Sequence, residues 1–269
     1  MSNINLYIKA RASATVVFEQ DYQNILTYAT SKGYALPSSA QQIKQNNLVK
    51  SLKLNGIWRK LDSLSILATD GSSLFALIDW IRISEMTAVN SPVFTVNQGF
   101  QGNGTSSHIR TNFAPINGNN YKLNDASIGG WYSNALTRTN DGISMGQRTS
   151  GNNNSSSISP YRPSQAVTGL NNNLGLDVPA YTPANGLFSL NRFNSSNYNF
   201  YLNNSLINTS NFPSNAVLSS TDYALFGFNS GGTVSSFSND KMLMHYAGAS
   251  LEINQSAFYN SLNTYFNSL

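Results

Sequence analysis

The region after residue 90 consists of short apolar runs separated by pairs of asparagine and glycine. Ile109, Thr111 and Phe113 alternate with polar residues, which is the period-two pattern of a half-buried strand. Asn203-Asn204 predicts a two-residue hairpin turn, because asparagine tolerates positive φ. Further candidate strands are residues 127–132, 143–148, 187–192, 199–202, 205–207, 223–228 and 242–247. Short strands with turn signals between them predict a β-sandwich or jelly roll.

The region before residue 90 has helical spacing instead. One predicted apolar face consists of Phe18, Tyr22, Ile25, Leu26 and Ala29. Ser38 and Gln41 have the spacing of a capping box and predict the start of a second helix, which ends near Asn55-Gly56. The apolar positions of that second helix are Leu48, Val49 and Leu52.

The helical pattern continues weakly beyond the second helix. Ile57, Leu61 and Leu64 extend it, and Ser72-Ser73 is a candidate cap for a further turn through Trp80. At the other end of the chain, a closing helix over residues 253–267 is predicted from an apolar face. That face consists of Phe258, Leu262, Tyr265 and Phe266.

These patterns divide the chain into three parts. Residues 1–17 are short strands or an extended arm that would serve as an attachment segment, residues 18–90 are a helical module, and residues 91–269 are the sandwich. The last boundary is placed at Asn90-Ser91-Pro92, since the residue before a proline is disfavoured in a helix. The predicted fold class is therefore mostly β, with helices before the sandwich and one after it.

Charge is scarce in this chain. Charged residues make up 10% of it, against ~25% in typical soluble domains, whereas 40% of the residues are hydrophobic. This composition excludes the disordered class, and no apolar run reaches the ~18 residues of a membrane span. The net charge is +4, but no basic run is longer than Arg59-Lys60, so nucleic-acid binding is not predicted.

The ends and the cysteine content indicate a compartment. There are no cysteines, hence no disulfide framework and no thiolate metal site. Residues 1–6 lack the basic and apolar regions of a signal peptide. We therefore expect synthesis and folding in a reducing cytoplasm.

The residue types that carry catalysis are few and scattered. Of the two histidines, His245 is predicted to lie in the core and His108 at the surface. The acidic residues after position 90 are isolated from one another: Asp125, Asp141, Asp177, Asp222, Asp240 and Glu252. A glycosidase pair or a cluster of calcium ligands needs closer grouping, although backbone carbonyls leave calcium open. No catalytic, cofactor-binding or metal-binding residue is predicted.

Two further features are candidate binding sites. The glycine-rich run Gly99–Gly104 precedes a predicted strand rather than a helix, so it is interpreted as a turn and not as a phosphate loop. Four aromatic residues could stack on sugars or pack in the interior: Trp131, Tyr132, Tyr161 and Tyr181. Interior packing is the expected role for most of them.

The order of several short motifs resembles a known class of domain. The run Gly102-Asn103-Gly104-Thr105-Ser106-Ser107, followed by Ile109, Thr111-Asn112-Phe113 and Pro115, resembles the opening of a concanavalin A-like (laminin-G-type) sandwich found in virion proteins of tailed bacteriophages, notably crAss-like phages. The final strands and closing helix are similar as well, at Gly248-Ala249-Ser250-Leu251 and residues 259–266. The resemblance covers residues 20–269.

This resemblance implies a non-catalytic structural component of a phage virion: a head fibre, a capsid decoration or a tail-associated protein. The implied partners are other virion proteins and further copies of the chain in a homo-oligomer. The alternative is a carbohydrate-binding adhesin module that recognises a host surface glycan. A sandwich-fold hydrolase is a third class, which the absence of a paired-acid motif disfavours.

Overall fold

The computed structural model describes residues 17–133, 141–151, 154–162, 165–172, 182 and 184–269. The helices are α1 (Gln20–Ser31), α2 (Ser39–Leu54), α3 (Ser73–Ala76) and α4 (Gln255–Phe266). Single 3₁₀ turns are formed by Trp58–Lys60, Pro115–Asn117 and Glu252–Asn254. Within the described ranges, no helix is long and apolar enough to cross a membrane.

Strands make up most of the regular structure. The strands before residue 133 are β1 (Leu61–Ile66), β2 (Ile78–Asp79), β3 (Ser84–Glu85), β4 (Thr87–Val89), β5 (Val93–Thr95), β6 (Gly99–Gln101), β7 (His108–Arg110) and β8 (Ala126–Tyr132). The later strands are β9 (Met145–Arg148), β10 (Ser155–Arg162), β11 (Gln165–Asn172), β12 (Gly186–Arg192), β13 (Tyr198–Leu202), β14 (Ser205–Ser210), β15 (Ala224–Leu225), β16 (Phe228–Ser230), β17 (Thr233–Ser235) and β18 (Lys241–Gly248).

Two large sheets form a sandwich. The central sheet has the order β14-β13-β12-β8-β18-β6-β5, and β1 pairs with β18 as well. The outer sheet has the order β11-β10-β9-β15-β7-β4, and the β16–β17 hairpin joins it at β9. Residues such as Ile128 and Phe188 of the central sheet share one buried cluster with Met145 and Ile158 of the outer sheet. The mostly β, jelly-roll sandwich predicted from the sequence is confirmed.

A layer of helices covers the other face of the central sheet. A second buried cluster joins Tyr22 of α1, Leu52 of α2 and Phe258 of α4 to Trp131 and Met244 of the central sheet. The predicted helix faces are confirmed, because their main apolar residues are buried. The molecule therefore has three layers in the order helices, central sheet and outer sheet.

Local turn and cap signals are also confirmed. The Ser38 hydroxyl accepts a hydrogen bond from the Gln41 backbone N–H, as expected for an N-cap, while the Gln41 side chain turns to Asn97 and residues 69–70 instead of closing the box. The turn at Asn203-Asn204 joins β13 to β14, and Asn203 has a φ of 56°. Residues 1–16 of the predicted arm lie outside the described residues.

Two local predictions are wrong. Residues 61–66 do not continue a helix but form β1, which pairs antiparallel with β18 from Leu61↔Gly248 to Ile66↔Met244. Likewise α3 ends at Ala76, short of Trp80. On one edge of β18, β6 pairs only with Lys241 and Met242, and β1 pairs with the rest of that edge. This long-range strand pairing outweighs the weak helical spacing of residues 57–64. Residues 18–90 thus contribute most of the helical layer and one strand to each large sheet, β1 to the central sheet and β4 to the outer sheet.

His245 is buried in the central sheet, as predicted. It lies on β18 opposite Ser65 of β1 and Gly130 of β8, and its Nε2 is 3.1 Å from the Met86 sulfur. Burial disfavours the charged imidazolium and lowers the pKa of His245 to about 4, from 6.5. His245 is therefore neutral in the folded protein at neutral pH.

This burial predicts a specific dependence of stability on pH. Between pH 6.5 and 4 the unfolded chain binds a proton at His245 that the folded chain does not, so the free energy of unfolding decreases as the pH falls through this window. The expected loss is about 3 kcal/mol. Urea unfolding of the wild type and of His245→Gln at pH 7.5 and pH 4 measures this loss. The carboxylates contribute equally to the pH dependence of both proteins, so the difference between the two proteins isolates the contribution of His245. Identical pH dependence in both proteins would contradict the assignment.

Candidate functional site

The aromatic residues singled out from the sequence do not form an exposed platform. Trp131 and Tyr132 are buried, and Trp131 stacks on Tyr259 of α4 with ring centroids 5.9 Å apart. Tyr161 belongs to β10, and Tyr181 lies outside the described residues. The packing role expected for most of these residues is confirmed for Trp131 and Tyr132.

His108 differs from its prediction. It is buried rather than exposed, because its strand β7 lies between β4 and β15 and its ring packs near Phe237 with centroids 5.7 Å apart. Its Nδ1 is 3.0 Å from the carbonyl oxygen of Ser106. The alternation of polar and apolar residues predicts on which face of the strand the His108 side chain lies. It does not predict that Phe237 covers that face.

The acidic side chains of the sandwich make separate structural contacts. Asp222 is ion-paired with Arg110, and Asp125 accepts the backbone N–H of Ser250 at 2.7 Å. Glu252 accepts a hydrogen bond from the Asn199 amide at 2.7 Å. Asp177 lies outside the described residues. In the part of the chain that the structure describes, no three His, Asp or Glu side chains group in a way that could hold a metal ion.

The second half of the glycine-rich run is a turn, as predicted, whereas its first half, Gly99–Gln101, forms β6. The Asn103 side-chain oxygen accepts the backbone N–H groups of Thr105, Ser106 and Ser107 at 2.8 to 2.9 Å. The Asn103 oxygen thus takes the position that a phosphate oxygen has in a phosphate loop. Because these N–H groups are already bound to it, the turn is not an anion-binding site.

A surface cleft of ≈ 460 Å³ lies where the helical layer meets the sandwich. Four segments form it: the 3₁₀ turn that follows α2, the first residues of β1, the turn after β2 and the loop after β7. Its lining consists of Trp58, Arg59, Leu61, Asp62, Ile81, Arg82, Phe113, Asn117, Asn119 and Asn120. The cleft thus combines two aromatic side chains, two guanidinium groups, one carboxylate and three amides, and we call it the Trp58 cleft.

Asp62 determines the shape of the cleft loop. Its carboxylate accepts the backbone N–H groups of Asn119 and Asn120 at 3.0 Å and of Tyr121 at 2.6 Å. The Asn120 amide adds a bond to the Leu61 carbonyl at 3.2 Å. The residue is only 6% exposed, so these donors compensate a carboxylate that is nearly removed from water. The backbone conformation of residues 119–121 is therefore fixed by hydrogen bonds to Leu61 and Asp62 of β1.

Arg82 forms a fixed wall. Its guanidinium is ion-paired with the fully buried Asp79 at 2.8 Å and donates to the carbonyls of Thr111 and Asn112, each at 2.7 Å. It also lies over the Phe113 ring, 5.5 Å from the centroid. Because all of these bonds act together, Arg82 joins the turn after β2 to the loop after β7.

Trp58 and Arg59 are the accessible groups of the cleft. Trp58 is half-buried and Arg59 is exposed, and both also line a neighbouring cleft of ≈ 430 Å³ with Lys53, Leu54 and Gly56. The side chains of Asn117 and Asn119 are exposed as well. Among the described residues, neither the Arg59 guanidinium nor these two amides has a hydrogen-bond partner. They are available to a ligand.

Sequence reasoning missed this site. In the sequence, Arg59-Lys60 is only a basic pair, and Asn117-Gly118-Asn119-Asn120 is typical of an ordinary turn. The weak signal is a tryptophan two residues after the helix stop at Asn55-Gly56, where no buried helix face requires it. The segments that form the cleft are too far apart in sequence for any local pattern to join them.

A larger groove of ≈ 620 Å³ runs between α2 and α4. Small polar residues line most of it, such as Ser51, Ser256 and Thr264. Its cation, Lys44, donates a hydrogen bond to the Ser268 carbonyl. Its aromatic lining residue, Tyr265, is only 3% exposed, and its cation is already engaged, so the groove has less binding chemistry than the Trp58 cleft.

The fold and the cleft together define a β-sandwich protein with a polar surface cleft. No family model and no curated protein matches the sequence. Solved structures are similar in fold. A mutant of Trypanosoma rangeli sialidase displaying trans-sialidase activity aligns with 82% of this chain and 39% of its own, at 10% identity and a TM-score of 0.53.

The same sialidase in complex with 2,3-difluoro-KDN gives a TM-score of 0.53, over 84% of this chain and 39% of the sialidase, at 10% identity. The binding domain of botulinum neurotoxin serotype D aligns over 76% of this chain and 52% of its own, at 11% identity and a TM-score of 0.49. The chain spans about two-fifths of the sialidase chains it matches. At this identity the likeness to the sialidases shows the fold alone.

Proposed function

We propose that this chain is a non-catalytic structural component of a bacteriophage virion, as a head fibre, a capsid decoration or a tail-associated protein. The ordered motif resemblance over residues 20–269 carries this proposal. A chain with only 10% charged residues supports it, since amide and hydroxyl contacts between subunits vary little with salt or pH. The scattered, structurally engaged acids support a non-catalytic role.

Mass spectrometry of purified particles tests the virion proposal. The expected result is a peptide set from this chain at a copy number that is a multiple of the particle symmetry, because identical subunits associate in closed symmetric assemblies. Particles without any copy of the chain would refute it.

The Trp58 cleft favours a second function, the recognition of a host surface glycan by the same chain. A sugar has an apolar face and a hydroxyl rim, and the cleft offers an indole face beside exposed amides at Asn117 and Asn119. The loop that carries these amides is held in place by Asp62 before any ligand arrives, which limits the entropy cost of binding. An adhesin on a virion would need such a preformed site.

Trp58→Ala is expected to weaken glycan binding at least about 10-fold, because the variant removes the aromatic surface shared by both clefts. A glycan array probed with the wild type and the variant measures the effect. Phe193→Ala is the matched control, since Phe193 is 44% exposed and lies outside both clefts. An unchanged array pattern in Trp58→Ala would remove this site from the proposal.

A further inference from the structure

We infer that the Trp58 cleft and its neighbour bind an acidic oligosaccharide, with Arg59 holding a carboxylate or sulfate group. This inference rests on the proposed glycan binding and specifies its ligand class. It is carried by the distribution of charge around Trp58 and by the two clefts that meet there.

Most charges around the two clefts are already compensated. Lys53 is ion-paired with Glu19 and Asp21, each at 2.8 Å, and Arg82 is ion-paired with Asp79. Asp62 has its carboxylate oxygens on the backbone N–H groups of the loop. These groups form the walls of the clefts, and their charges are already paired within the protein rather than available to a ligand.

Arg59 is the exception among the described residues that line the clefts. Its guanidinium is exposed, and it has neither an ion pair nor a hydrogen bond within the described part of the chain. A guanidinium presents a planar fork of donors that matches carboxylate and similar oxyanions in a bidentate manner. An exposed arginine next to a half-buried tryptophan therefore favours a sugar that carries a negative charge over a neutral one.

The two clefts also set a minimum ligand length. Their volumes are ≈ 460 and ≈ 430 Å³, each within the range of roughly 300–1,000 Å³ typical of ligand pockets. Trp58 and Arg59 line both of them. A ligand that fills both must extend across Trp58, so an oligosaccharide of two or more units with its acidic group at Arg59 fits this geometry.

An array of matched glycans tests the inference with the full chain. Each uronic-acid glycan is printed beside its carboxyl-reduced form, and sulfated glycans are printed beside their desulfated forms. We expect at least about 10-fold stronger binding to the acidic members, and in Arg59→Gln we expect this preference to disappear while binding to neutral members is retained. Lys50→Gln is the control for net charge, since Lys50 is exposed and lines neither cleft.

Each outcome has a distinct meaning. Preference for uronic acids identifies carboxylate as the group, and preference for sulfated glycans identifies sulfate. Equal binding to acidic and neutral members overturns the inference while glycan binding stands. An array without any bound glycan refutes glycan binding and the inference with it. Loss of preference in Lys50→Gln as well would assign the effect to net charge rather than to Arg59.

Discussion

A fragment that begins at residue 91 will fail to fold, even though the sequence places the sandwich there. It lacks β1, which covers the edge of β18 through five aligned residue pairs. It also lacks α1 and α2, so the helix-side face of the central sheet, including Trp131, Leu187 and Met244, loses much of its cover. An open strand edge beside a large exposed apolar face leads to aggregation.

Soluble yield and thermal unfolding followed by circular dichroism measure this result. The matched control is a chain that begins at residue 17, which retains α1, α2 and β1 and should unfold in one cooperative transition. A soluble 91–269 fragment with its own cooperative transition would contradict the three-layer account.

Asp62→Ala is expected to lower the free energy of unfolding by about 4.5 kcal/mol, since three backbone N–H groups lose a charged acceptor and each such bond contributes roughly 1.5 kcal/mol. The donors are the backbone N–H groups of residues 119–121, which line or adjoin the Trp58 cleft. The variant should therefore also lose glycan binding at temperatures where it remains folded.

Urea unfolding and the glycan array measure these two effects on one protein. Asp21→Ala is the control, because its carboxylate is ion-paired with Lys53 on the exposed surface, and such a pair contributes about 1 kcal/mol or less. If Asp62→Ala unfolds at the same urea concentration as Asp21→Ala, the carboxylate does not hold the loop.

Much of the fold was predictable because its signals are local. Helical spacing identified the buried face of α1, and the hydroxyl of Ser38 capped α2 at the expected N–H. Asparagine at positive φ identified the hairpin at Asn203. In each case a few neighbouring residues contain the full physical reason for the structure.

The strand β1 was not predictable in this way. Leu61 and Leu64 satisfy a weak helical period, but both are buried in a strand whose partner lies about 180 residues later in the chain. His108 failed for a related reason, since Phe237 covers it from a distant part of the chain. Contacts between residues far apart in the chain determine both structures, and the residues near each position in the sequence do not indicate these contacts.

The candidate site was the least predictable feature. Trp58, Asp62 and Arg82 come from three different segments, and the cleft also needs the loop after β7. Asp62 precedes the predicted sandwich region in sequence, and its function as an acceptor of backbone N–H groups from residues 119–121 has no local sequence signal. Only the assembled layers bring these side chains together.

The most direct test of the account is a crystal structure of the chain with the glycan that binds best on the array. The account predicts a sugar ring against the Trp58 indole, with the acidic group on the Arg59 guanidinium and Asn117 or Asn119 on the hydroxyls. A glycan bound elsewhere on the sandwich, with the Trp58 cleft empty, would contradict it.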